Sequence, residues 1–126
     1  MIRILSLVLL LVSCTGMKAQ EIMPGERWPD DKGVHVNAHG GGMLYADGTY
    51  YWFGEFKSDT TSVALDGVTC YSSCDLVHWK NEGIAMPVMP EESYSDIERG
   101  CILERPKVVY NKKTNKYVMW FHLELK

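Results

Sequence analysis

From residue 37 onward the apolar positions come in short runs separated by turn formers. Met43-Leu44-Tyr45 and Thr49 to Phe53 are two such runs, with Asp47-Gly48 between them. An Asp-Gly pair joining two β-rich runs predicts a tight hairpin, because the turn needs positive φ. Val68 to Ser73 predicts a third strand and Trp79 to Met86 a weaker fourth, with Asp75 shaping the turn in the connection from Ser72 to Trp79. Pro87 and Pro90 open a loop that reaches Gly100, and its acids Glu91, Glu92, Asp96 and Glu98 read as a solvated surface. The pattern then restarts: Lys107 to Tyr110 is a strand, Asn111 to Lys116 a turn, and Tyr117 to His122 the partner strand. Ahead of all this, Glu21 to Val36 is a polar lead broken by Pro24, Gly25, Pro29 and Gly33. No segment after the first twenty residues reads as a helix.

The restart is a repeat. With Tyr45 set on Tyr110, His39 falls on Glu104, each six residues ahead of its tyrosine. Trp52-Phe53 and Trp120-Phe121 then recur at similar places, for a period of 65 to 68 residues. A repeat of four antiparallel strands is the signature of a β-propeller blade. The expected fold class is all-β: one whole blade and half of the next, stopping in mid-strand at Glu124-Leu125-Lys126. A propeller ring needs at least about four blades, so the expectation is the N-terminal part of a longer protein. Polar groups at one position of two repeated units predict side chains gathered around a shared centre.

Composition narrows the classes. The 126 residues bound the chain to one small domain, and 46% hydrophobic with 23% charged residues is globular composition. A net charge of -3 gives no reason to expect nucleic acid as a partner. Arg3 followed by the apolar run Ile4 to Val12 is too short to span a bilayer and reads as a secretory signal over residues 1–20. Two outcomes compete. Leu11-Val12-Ser13-Cys14 reads as a lipobox that would lipidate Cys14 and anchor the protein to an outer membrane; cleavage near Ala19-Gln20 would release it. Either predicts export to the cell surface or periplasm, with residues 21–126 as the folded part. Beyond Cys14, the thiols Cys70, Cys74 and Cys101 are odd in number, and Cys70 and Cys74 would stand about 13 Å apart on a straight strand, too far to bridge. Their spacing is that of no metal site.

The candidate chemistry lies where the two runs begin. Glu104-Arg105-Pro106-Lys107 is a charged cluster at the mouth of an apolar strand. Its carboxylate either faces a sugar or pairs with Arg105 or Lys107 to organise a loop, and proline is expected to enforce an extended strand start there. His39 precedes three glycines, which permit close backbone approach; it either orients a hydroxyl or is satisfied by backbone. Glu55 closes the aromatic strand Tyr51-Trp52-Phe53-Gly54, so it either grips sugar hydroxyls or ends a packed strand whose rings are core. Arg105 clamps Glu104 or the substrate. His122 nearly aligns with Glu55, and Asp30 and Asp31 read as an exposed turn.

On Asn37-Ala38-His39-Gly40-Gly41-Gly42, Tyr50 to Glu55, Tyr71-Ser72-Ser73 with Asp75-Leu76 and Trp79, and Gly100 to Val108, the chain resembles glycoside hydrolase family 43 from about Trp28 to Lys126. Among its branches it is most similar to the exo-β-1,3-galactanases. The resemblance implies a five-bladed propeller and an inverting, exo-acting hydrolase of β-1,3-galactan in arabinogalactan-type polysaccharide. It makes Glu104 the catalytic-site glutamate that holds the sugar and tunes the acid, and His39, Glu55 and Arg105 substrate-binding residues. Most members carry an Asp base where this chain has Asn37-Ala38-His39, which argues against an arabinofuranosidase or xylosidase. The galactanase branch is similar in lacking that Asp, with a Gln of a later blade proposed as base; acid and base would both lie beyond Lys126. A sugar-binding propeller without catalysis is the competing reading, and a family 43 hydrolase of another linkage, α-L-arabinofuranoside or β-xyloside, is a third. No cofactor is expected: some members hold an ion near the axis, and no ligand set here asks for one. A monomer is expected.

Overall fold

The computed structural model describes residues 22–58, 63–90 and 95–125. The leader with Cys14, and Glu91 and Glu92 of the acidic loop, lie outside these. Six strands form two antiparallel sheets: β1 (His39–Ala46), β2 (Thr49–Glu55), β3 (Gly67–Ser73) and β4 (Lys80–Pro87) in the order β1-β2-β3-β4, then β5 (Ile102–Asn111) with β6 (Lys116–Glu124). No helix occurs among the described residues. The expected strands are all present; β4 is shifted by one residue, from Trp79–Met86 to Lys80–Pro87, and the others run further at one or both ends.

Local chemistry accounts for the turns. Asp47 and Gly48 have φ of 49° and 80°, the two positive values that a tight β-hairpin requires. Asp75 shapes the β3–β4 connection by accepting the Val77 and His78 N–H groups at 2.9 and 2.8 Å. The His78 ring beside it, first among several donors, holds its carboxyl well below the usual carboxylate range. In the β5–β6 turn Asn111 Oδ1 accepts from Lys113 and Thr114, and Asn115 takes φ 54°.

Two cores result. On one face of the first sheet, Trp79 meets Trp28 and Trp52 edge to face at 6.1 and 5.3 Å, Trp28 and Trp52 lie tilted at 5.6 Å, and the three pack with Val36, Ala38 and Tyr71. Trp52 of the aromatic run thus packs against this core, where the buried Trp79 alone contributes at least about 1.5–3 kcal/mol. The second core, built on Ala64, Val68, Cys101 and Leu103, packs Phe53 of β2 together with Met119, Phe121 and Leu123 of β6 and so joins the sheets. The loop after β4 is partly drawn into it: Ile97 packs there, and Gly100 and Cys101 exchange backbone bonds with Ala64 at 2.8 Å each. Cys70, Cys74 and Cys101 form no disulfide, and burial, with Glu82 adding to it, pushes Cys70 up to about 11.

Asp30 departs from expectation. The turn exists, but Asp30 is 7% exposed, not solvated. Its Oδ1 accepts from Lys32 and Val34 N–H, and its Oδ2 from Asn81 Nδ2, which ties the lead to β4. Burial works against its charge, yet the donors from Asn81, Val34 and Lys32 outweigh it and hold the carboxyl below its ordinary value.

The register shows the repeat directly. Tyr45 faces Tyr50 across the first hairpin, and Tyr110 faces Tyr117 across the second, so the strands are offset by 65 and 67 residues. On that register Trp52 matches Met119 and Phe53 matches Trp120, which corrects the pairing of Trp52-Phe53 with Trp120-Phe121. Trp52 accordingly lies in the first core while Trp120 is 70% exposed. Each hairpin carries one extra residue at the same place, between His39 and Gly42 and between Glu104 and Lys107. At each bulge the residue after the candidate side chain has positive φ: Gly40 at 56°, Arg105 at 53°. The proline-enforced strand start is thus corrected. β5 already runs from Ile102, Arg105 is left-handed, and Pro106, which cannot donate to a ladder, sits buried in the bulge.

Candidate functional site

The two bulges stand side by side at one end of the neighbouring sheets. Glu55 fills the space between them. A Cβ on Gly40 would meet Glu55 Oε1 at 2.8 Å, so a side chain there would displace the Glu55 carboxylate, and the positive φ also favours glycine. The Glu55 side chain is 5% exposed. Its Oε1 accepts the Arg105 main-chain N–H at 2.8 Å, and that bond holds Arg105 in its left-handed conformation. Its Oε2 lies 2.9 Å from Lys57 Nζ, a charge pair out of hydrogen-bond alignment. The Lys57 ammonium also approaches Glu104 Oε1 at 3.7 Å. Its close contact with Glu55 raises the Lys57 pKa above the ordinary value; burial opposes this, and the charges of Glu55 and Glu104 add to it.

Glu104 is held loosely. Its other neighbour is the Arg105 guanidinium, 3.6 Å from Oε2 on a side chain that is 71% exposed. Neither cation stands within hydrogen-bonding distance, so the carboxylate keeps lone pairs for other donors. Lys107, considered above as its partner, turns away instead: its ammonium donates to the Gly41 and Gly40 carbonyls at 2.7 and 3.3 Å and ties β5 to β1. His39 is opposite Glu55 in the β1–β2 register and exposed, and its ring makes no side-chain hydrogen bond or ion pair among the described residues. His122, opposite Glu104, pairs with Glu124 at 2.9 Å.

The structure therefore brings Glu55, Glu104 and Arg105 into one notch with Lys57. It leaves His39 at the rim. Lys57 and its support from Asn37 were not among the residues singled out by pattern. The available signal was Glu55-Phe56-Lys57, since residues two apart on extended chain share a face. An ionised carboxylate only accepts hydrogen bonds, and two of them side by side suit a polyol that offers several hydroxyls. No group of three or more metal-ligating side chains occurs among the described residues.

Solved structures share this arrangement of chain. A family 43 β-1,3-galactosidase holding galactodeoxynojirimycin matches at 58% identity and a TM-score of 0.77, over 81% of this chain and 29% of that one. The exo-β-1,3-galactanase of Phanerochaete chrysosporium with galactose matches at 39% identity and 0.77, over 84% and 24%. The exo-β-1,3-galactanase of Clostridium thermocellum matches at 43% and 0.68, over 82% and 21%. No protein-family model and no curated protein matches. The shared architecture is that of a glycoside hydrolase chain. This protein belongs to glycoside hydrolase family 43, and it spans 21–29% of the length of these three structures.

Proposed function

We propose that the complete protein is an inverting, exo-acting glycoside hydrolase that removes galactose from the end of β-1,3-galactan in arabinogalactan-type polysaccharide. The observation that carries this reading is the notch itself: Glu55 and Glu104, from neighbouring sheets, meet across Lys57, and Glu104 retains free acceptor capacity. Identity of 58% to a β-1,3-galactosidase supports galactose as the sugar. In this reading the two sheets are consecutive blades of a five-bladed propeller, with their bulged ends turned to the axis. Glu55 and Glu104 accept from galactose hydroxyls, Glu104 also tunes the nearby acid, and Arg105 and His39 line the rim.

Inversion requires an acid and a base about 6.5–9.5 Å apart with water between them. Both are assigned to the remainder of the protein, outside these 126 residues. The acid protonates the leaving oxygen while the base directs water to the opposite face of the ring. Export, with Cys14 as a lipid anchor, belongs to the same reading, since a polysaccharide is met outside the cytoplasm.

Proton NMR of the complete protein acting on β-1,3-galactotriose tests this. The expected first product is free galactose in the α configuration. Internal cleavage or a β-configured first product contradicts the mechanism. Binding without release makes the protein a sugar-binding module.

A further inference from the structure

Lys57 follows β2 and stands between carboxylates of two sheets, 2.9 Å from Glu55 Oε2 and 3.7 Å from Glu104 Oε1. Fixing a lysine stem costs up to about 2 kcal/mol of rotamer freedom, so its placement needs support. Asn37 supplies it at the backbone. The Lys57 N–H donates to Asn37 Oδ1 at 3.0 Å, and the Lys57 carbonyl accepts from Asn37 Nδ2 at 2.7 Å. Asn37 is itself held. Its N–H donates to the Tyr71 hydroxyl at 3.1 Å, and its carbonyl accepts from Thr69 Oγ1 at 2.7 Å. Thr69 and Tyr71 are buried on the central strand β3. A continuous set of bonds thus runs from β3 to the Lys57 backbone and fixes the point from which its ammonium reaches the two carboxylates.

Other charged groups near the two acids do not substitute for it. Arg105 gives Glu55 only its main-chain N–H, and its guanidinium reaches Glu104 alone. Lys107 is engaged by the Gly40 and Gly41 carbonyls, and His122 by Glu124. His39 of β1 makes no ion pair among the described residues. Two carboxylates without a cation between them repel, and one of the pair then takes up a proton more readily.

We propose that Lys57, clamped at its backbone by Asn37, is a positioning residue of the sugar site: its ammonium stands between Glu55 and Glu104, offsets their repulsion and leaves the Glu104 carboxylate aimed at galactose hydroxyls. This rests on the reading of the notch as a galactose site. The ammonium acts through the two carboxylates and does no proton transfer of its own.

The test is kcat and KM of the complete protein on β-1,3-galactotriose from pH 3 to 8, for the wild type, Lys57→Met and Lys57→Arg, with thermal melts alongside. Lys57→Met is expected to raise KM about tenfold and to move the acid limb of kcat/KM up by about one pH unit. Lys57→Arg keeps the charge and restores the limb. A wild-type limb and KM in Lys57→Met overturn the proposal, as does a KM rise with an unmoved limb. Lys57→Gln carries the same comparison if the methionine variant does not fold. A wild type that cleaves nothing sinks the hydrolase reading separately. Calorimetric titration with galactose across the same pH range then decides on Lys57, with the same shift in affinity expected and its absence contradicting the proposal.

Discussion

At Asn37 one nitrogen atom matters. Its amide donates to the Lys57 carbonyl while its oxygen accepts the Lys57 N–H, and an aspartate in this place has no donor to offer. Asn37, in the stretch Asn37-Ala38-His39 where most of the family is expected to carry its base, is thus used here to hold backbone. Asn37→Asp in the complete protein is expected to cost about 1–3 kcal/mol of stability, by placing a carboxylate against a carbonyl oxygen, and to leave kcat no higher. Thermal melts and steady-state kinetics check this; an unchanged melting temperature or a gain in kcat contradicts it. Glu55, Glu104 and Arg105 were legible in sequence, because acids and a guanidinium beside strand ends stand out locally. Lys57 was not. Its partner Glu104 is distant along the chain, and only the fold brings them together. Asp30 was misjudged for the same reason: its burial depends on Asn81, a residue of another strand.

At the scale of elements, alternation and turn chemistry marked all six strands, and the Asp47-Gly48 hairpin took the positive φ values its sequence demands. The bulges were not legible. A bulge is one extra residue in a ladder, and the pattern within one strand does not record its partner's register. At Arg105 the contact with Glu55 overrides the extended preference that Pro106 imposes on the residue before it. A left-handed non-glycine residue stores about 1–2 kcal/mol, and such strain gathers at functional sites. Arg105→Gly is therefore expected to hold or raise stability, by up to about 1 kcal/mol, while KM rises several-fold with loss of the guanidinium. Chemical denaturation and kinetics of the complete protein measure both. A stability loss beyond about 1 kcal/mol would show that the side chain, not the bond from its backbone, maintains the bulge.

At the scale of the molecule, two hairpins of like register lie against each other through the second core, and their equivalent bulges share one edge. The repeat was visible in sequence as His39 and Glu104 six residues ahead of matching tyrosines; its true offset on the second strand, 67 residues, emerged only from the pairing of Tyr50 and Tyr117 with their partners. What the arrangement gathers is a buried glutamate, a loosely held glutamate and a lysine between them. The most direct check is a crystal structure of the complete protein with galactose bound. Galactose hydroxyls within about 2.5–3.2 Å of both Glu55 and Glu104, with Lys57 still between the two carboxylates, are the predicted result. Galactose seated elsewhere, with Glu55 and Glu104 bonded only to protein groups, would contradict it.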